Sequence, residues 1–248
     1  MRKLQSILVS ILLILVFPVG AQNVGGKAKI GGKATLGGGG VILHQASPIG
    51  NVSSVNFSSQ SVITLTLAQT TNSGHAFVGM VASNVQISSV TDGGDTFSQT
   101  NIGGNQPGMF YTCSLSSGVT ALTITLSGSS TGIAAGDEMA GIITSSCYDI
   151  GQQNGYANST TFTSNATATS AQKYEVAFGG LTDFSFGGAI TPVASGYTTR
   201  ANIYYTPSGA NALSTQYQNF NNGPAAYTYS GTSTNNSNNA AIFLFKLQ

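Results

Sequence analysis

Residues 121–126 read Ala121-Leu122-Thr123-Ile124-Thr125-Leu126, with an apolar side chain at every second position from Leu122 and threonine between. The same period recurs in Ile63-Thr64-Leu65-Thr66-Leu67 and in Tyr174-Glu175-Val176-Ala177-Phe178. Successive side chains of a strand point to opposite faces. Such runs therefore place one face in a core and the other in water, as antiparallel sheets do. Outward from these runs the chain is Thr, Ser, Val, Ile and aromatic residues in short stretches broken by Gly, Asn and Asp. Further strands are predicted over residues 41–46, 52–57, 76–82, 86–90, 97–101, 109–115, 139–147, 160–163, 197–205, 213–220, 225–229 and 240–247. The glycines of residues 132–141 allow one helical turn at most. Many short strands separated by turn residues predict an all-β fold, an antiparallel two-sheet β-sandwich of jelly-roll-like form. A small outer-membrane barrel also alternates, but its outward face is an apolar band with aromatic girdles, whereas many of these strands carry Thr and Ser there.

The chain has 248 residues, 41% of them hydrophobic and 6% charged, and a net charge of +1. That apolar content argues against a disordered tail. The scarcity of Lys and Arg argues against a nucleic-acid partner, because neutralising phosphates needs a basic surplus. Residues 1–21 place Arg2 and Lys3 before an apolar run from Ile7 to Val16, with small residues at Gly20 and Ala21. This is the layout of a secretory signal peptide, with cleavage expected after Ala21. The alternative, an uncleaved anchor, has an apolar run short of the roughly 20 residues a span needs. No later run is long enough for a helical span, so the mature chain is expected without one and is expected to be secreted or at the cell surface. Residues 22–40 hold two copies of Gly-Gly-Lys-Ala-x-(Ile/Leu) and then four glycines, a composition that reads as a flexible arm. The alternate positions Ala28, Ile30, Ala34 and Leu36 would also suit addition of the arm to a sheet edge. Residues 41–248 then make a single domain.

The turn Val90-Thr91-Asp92-Gly93-Gly94-Asp95-Thr96-Phe97, residues 139–149 and the closing run Ala241-Ile242-Phe243-Leu244-Phe245-Lys246 stand in this order along the chain. Together they resemble a loosely defined group of secreted β-sandwich proteins of environmental bacteria, with Asp95 standing where that hairpin usually has Asn. The resemblance covers most of residues 41–248. It implies an extracellular, non-catalytic surface or matrix role, and it implies no catalytic residues.

Chemistry-bearing residues are few. Cys113 shares strand parity with Met109, Tyr111 and Leu115, and Cys147 with Met139 and Ile143. Export would favour a disulfide between them, with two buried free thiols as the alternative. Residues 128–132 match G-x-S-x-G, which would make Ser130 a nucleophile. That motif needs a following helix and a later histidine, and both His44 and His75 precede Ser130. Each histidine reads instead as a packing or turn residue. Asp92 and Asp95 share a Gly-rich turn, while Asp137, Glu138, Asp149 and Asp183 are scattered. Calcium needs 6 to 8 oxygen ligands, whereas Asp-Gly pairs are ordinary hairpin residues, so the turn reading is preferred and no metal or other cofactor is expected. Asp137 and Glu138, as strand neighbours, point to opposite faces and make no glycosidase pair. Tyr197, Tyr204, Tyr205, Tyr217, Tyr227 and Tyr229 cluster late, where they would pack a core or form a binding face. The expected function is a non-catalytic module for surface adhesion or for matrix or glycan binding, its partner a glycan, a protein surface or another copy. The alternatives are a fibre subunit built by edge addition of the arm, and a carbohydrate-active enzyme.

Overall fold

The computed structural model describes residues 44–100, 108–183, 189–205, 211–221, 223–234 and 237–248. The signal-peptide and arm readings, and residues 41–43 of the first expected strand, lie outside the described residues. Among the described residues the chain is all-β, with fifteen strands and no helix. They form antiparallel sheets, none closed into a barrel.

Sheet I holds β1 (Ser47–Pro48), β2 (Ser53–Thr66), β3 (Ala76–Ala82), β4 (Ile87–Thr91), β5 (Ser98–Thr100), β6 (Gly108–Thr112) and β7 (Ala121–Ala140). Its axis is β7, which pairs along one edge with β1 and β2 and along the other with β3 and then β4. Register shifts in β2 around Gln60, next to Ser59 at φ 52°, bend this ribbon midway. Its two halves close on one another. Ile63, Leu65, Leu122, Ile124 and Ile87 of the outer half pack with Phe57, Phe77, Val81, Phe110 and Ala134 of the inner half.

Sheet II runs β12 (Thr198–Tyr205), β13 (Asn211–Phe220), β10 (Glu175–Asp183), β15 (Ser237–Lys246) and β8 (Tyr148–Asn158). Sheet III is small, with β11 (Ile190–Pro192), β14 (Ser230–Ser233) and β9 (Thr161–Thr163). The inner half of sheet I packs on sheet II through Val78, Met80, Ile133, Ala135 and Met139 against Val176, Phe178, Leu213, Phe243 and Phe245. The other face of sheet II packs on sheet III through Ala177, Leu181, Ile242 and Leu244 with Phe162, Ile190 and Tyr229. The sandwich class stands, with three sheets in place of the two expected.

Stacking on both faces changes what the inner strands must be. Every residue of β3 and of β10 is buried, so Glu175, on the expected water face, has none; Thr182 and Asp183 at the far end of β10 are buried as well. Each fully buried Phe, Phe178 and Phe243 among them, contributes roughly 1.5–3 kcal/mol. Glycines lie under aromatic rings, Gly79 beneath Phe110, its partner across β3 and β6, and Gly179 beneath Tyr229 from the covering layer, and a methyl at either would strike the ring. The expected strands 52–57 and 63–67 merge into β2. Residues 132–141 are strand almost throughout, not a helical turn, and the expected strand 139–147 stops at Ala140. β1, β8, β11 and β14 lie outside the expected strands, and residues 44–46 and 225–229 form no regular strand.

Candidate functional site: an aromatic groove on sheet II

Residues on alternate positions of a strand share a face. On β13, Gln216, Gln218 and Phe220 therefore look toward sheet III, and Gln218 and Phe220 form part of the lining of an open groove of about 440 Å³. One further side comes from Val193, Ala194, Ser195 and Tyr197, ahead of β12. Gly196, at φ 86°, makes that turn, and a side chain there would strike the Gln218 amide. The opposite wall is Ala226, Tyr227 and Thr228, ending at Ser230.

That wall is held by hydroxyl residues spaced by three. The backbone N–H groups of Ser164, Thr167 and Ser170 donate to the carbonyls of Tyr229, Tyr227 and Ala225 at 2.7, 2.9 and 3.1 Å. In return the Tyr229 N–H donates to Ser164 Oγ and the Tyr227 N–H to Thr167 Oγ1, each at 2.9 Å. The side chains thus stand in for backbone acceptors, and the wall is bonded without being a ladder strand.

The rings are ordered. Phe220 stacks on Tyr227 with centroids 4.1 Å apart, and Tyr197 meets Tyr229 at 4.8 Å and the edge of Phe220 at 6.3 Å. Tyr229 is fully buried and its hydroxyl donates to Gln216 Oε1 at 2.8 Å, while the buried Tyr197 hydroxyl has no hydrogen-bond partner. Burial, reinforced by neighbouring ionisable groups, pushes the hydroxyls of Tyr197, Tyr227 and Tyr229 above the usual tyrosine range. They stay neutral in ordinary buffers. No lining residue of the groove is ionic.

Behind Phe220 and Tyr227 lies a carboxylate pair. Glu175 is opposite Phe220 on β13 and opposite Lys246 on β15. A register shift between Leu244 and Phe245 offsets β8, so that Asp149 has no partner on β15 and meets this cluster. Glu175 is 1% exposed and neither of its carboxylate oxygens has a hydrogen-bond partner. Asp149 accepts from Ser170 Oγ at 2.9 Å, which ties the pair to the groove wall. Burial pushes Glu175 up to about 7 and the charge of Asp149 adds to the rise, against the opposing Ser170 hydroxyl and Lys246.

The structure distributes the sequence candidates. Of the six tyrosines, Tyr197 and Tyr227 line the groove and Tyr229 lies beneath it, whereas Tyr205 and Tyr217 pack against the core between sheets I and II, and Tyr204 is 47% exposed on β12. Strand parity does not single out Phe220, Gln218 or the hydroxyls at 164, 167 and 170, although their spacings of two and three are present in the sequence. Cys113 and Cys147 are joined in a disulfide with Cα atoms 5.5 Å apart. Asp92 Oδ1 accepts from the N–H groups of Gly94 and Asp95, and the Asp95 carboxylate accepts from the Ser116 N–H and hydroxyl, so both serve the hairpin. Ser130 lies inside β7 and bonds Asn84. His44 is not in a strand; it stacks on Tyr174 at 3.7 Å and bonds the Gln248 carbonyl. His75, just before β3, meets Glu138 at 2.8 Å. Glu138 also accepts from Asn51 and Asn72, a buried cluster that the sequence reading did not assemble. Asp137, on the opposite face of β7, pairs with Arg200.

Fold and groove together define a class, a layered antiparallel β protein with an uncharged aromatic cleft on one sheet. Among known proteins no family model matches the chain, no curated protein matches its sequence and no solved structure matches it.

Proposed function

We propose that this chain is an exported, non-catalytic module that binds polysaccharide through the Tyr197, Phe220 and Tyr227 groove. The observation that carries this reading is the groove's make-up: aromatic faces beside Ser195, Gln218, Thr228 and Ser230, with no ionic group. Sugar rings offer apolar C–H faces and a rim of hydroxyls, which such a surface meets by stacking and by neutral hydrogen bonds. The leader-like residues 1–21 and the disulfide support export. The carboxylates support a binding role over hydrolysis. Asp137 is paired with Arg200, Glu138 is saturated by His75 and two asparagines, and none of the acids lines the groove.

The test is an array of neutral and acidic oligosaccharides, cellohexaose included, probed with the chain from residue 22. Binding is expected, and Tyr227→Ala is expected to weaken it by about tenfold or more while leaving the circular-dichroism spectrum unchanged. Binding that survives Tyr227→Ala and Phe220→Ala together would place the site elsewhere.

A second reading, assembly through the N-terminal arm, draws on β12, which has a hydrogen-bonded neighbour on one side only among the described strands. Deleting residues 22–40 would then abolish filaments and leave oligosaccharide binding intact.

A further inference from the structure

Glu175 is an ionisable side chain in a place that does not favour its charge. It is buried, its oxygens are unpartnered, and its surroundings supply one like charge. Groups facing it come from every element around it: Asp149 from β8, Lys246 from β15, Ser170 from the wall's anchor, and Tyr227 from the wall itself. On β13 the residue opposite it is Phe220. The Lys246 ammonium is turned to the Ser146 carbonyl at 3.0 Å and makes no ion pair with either acid. A proton is the simplest way to neutralise one carboxylate of the two.

We propose that Glu175, beside Asp149, binds a proton and that losing it loosens the Tyr227 wall, so that the groove grips polysaccharide in a pH-dependent way. The last clause rests on the polysaccharide reading; the first two do not. The coupling is mechanical. With the proton in place one carboxyl is neutral, and Ser170 stays between Asp149, through its hydroxyl, and Ala225, through its N–H. When the proton passes to water, two carboxylates repel each other inside the protein and the yielding part is the irregular segment through Ser170, not the ladders of β10 and β15. Burial of Glu175 sets the transition near neutral pH, well above the ordinary carboxylate range.

The experiment follows backbone amides of residues 225–229 by NMR, together with their hydrogen exchange, from about pH 5 to about pH 9. Cellohexaose affinity is measured over the same range. One common midpoint near neutrality is expected in the wall amides, with their exchange protection falling by about tenfold above it after correction for intrinsic rates. In Glu175→Gln, which keeps the shape without the charge, that midpoint disappears. Wall amides that do not titrate in the wild type, or whose midpoint persists in Glu175→Gln, overturn the proposal. Should Glu175→Gln fail to fold, the side-chain carboxyl of Glu175 is titrated in the wild-type chain: a midpoint shared with the wall supports the proposal and a separate one overturns it. Failure of cellohexaose and every other sugar on the array at all pH values counts against the polysaccharide reading alone, since the wall titration needs no sugar.

Discussion

Glu175 shows how far tertiary context moves a single side chain. By alternation with Val176 it belonged to the solvent face; beneath the segments through Ser170 and Tyr227 it is 1% exposed, with its proton held up to about pH 7. The folded chain binds that proton more tightly than the unfolded chain, whose carboxyl titrates near 4.5. Its contribution to stability is therefore most favourable below about pH 4.5, declines as pH climbs toward about 7, and is fully lost above that. Glu175→Gln is expected to flatten this slope and to raise stability at pH 8 by on the order of 2 kcal/mol, read by urea denaturation at pH 5 and 8. A slope unchanged in the variant would exclude Glu175 as its source. At the same scale the sequence displayed the groove tyrosines but not their grouping. Tyr197 and Tyr227 line one groove because each packs its ring on Phe220 of β13, a grouping that strand parity within separate segments does not report.

Among elements, β7 is the one whose alternation was plainest and whose extent was least so. Its first half reads as a half-buried strand, and its second, Gly132 to Ala140, has burial on both sides and hence no alternation to read. Segment 225–229 is the converse case. Its composition suits a strand, but it pairs with Ser164, Thr167 and Ser170 at a period of three, and side-chain hydroxyls complete the bonding. The disulfide acts at this level too, tying the segment after β6 to the residue before β8. It closes a loop of 34 residues, for which chain entropy gives about 4 kcal/mol. The double variant Cys113→Ala and Cys147→Ala is accordingly expected to lose about 2–4 kcal/mol in chemical denaturation and to keep its β-sheet spectrum. A loss below about 1 kcal/mol would mean that the reduced unfolded chain is already compact there.

Across the whole molecule, sheets I and II share a core in which Asp137 of β7 and Arg200 of β12 form an ion pair, with Asp137 1% exposed. Burial raises the Asp137 pKa despite the opposing pull of Arg200. Removing the guanidinium leaves a buried carboxylate uncompensated. Arg200→Met is expected to cost about 3 kcal/mol at pH 8 and less at pH 4, where Asp137 takes up a proton. Adding Asp137→Asn is expected to recover part of the loss. Equal losses at both pH values would assign the effect to packing of the arginine stem instead.

By itself the order of residues determined that this chain is built from antiparallel strands, since a period of two is a local property that each segment carries whatever its neighbours are. It determined as well the hairpin chemistry of Asp92 and Asp95, which is local for the same reason. Only the tertiary structure decided that three sheets stack, that β3 and β10 lose their water-facing sides, and that Tyr197, Phe220, Tyr227 and the Asp149–Glu175 pair come together. Those outcomes depend on which faces cover which, and burial between sheets depends on partners distant along the chain, to which local periodicity is blind.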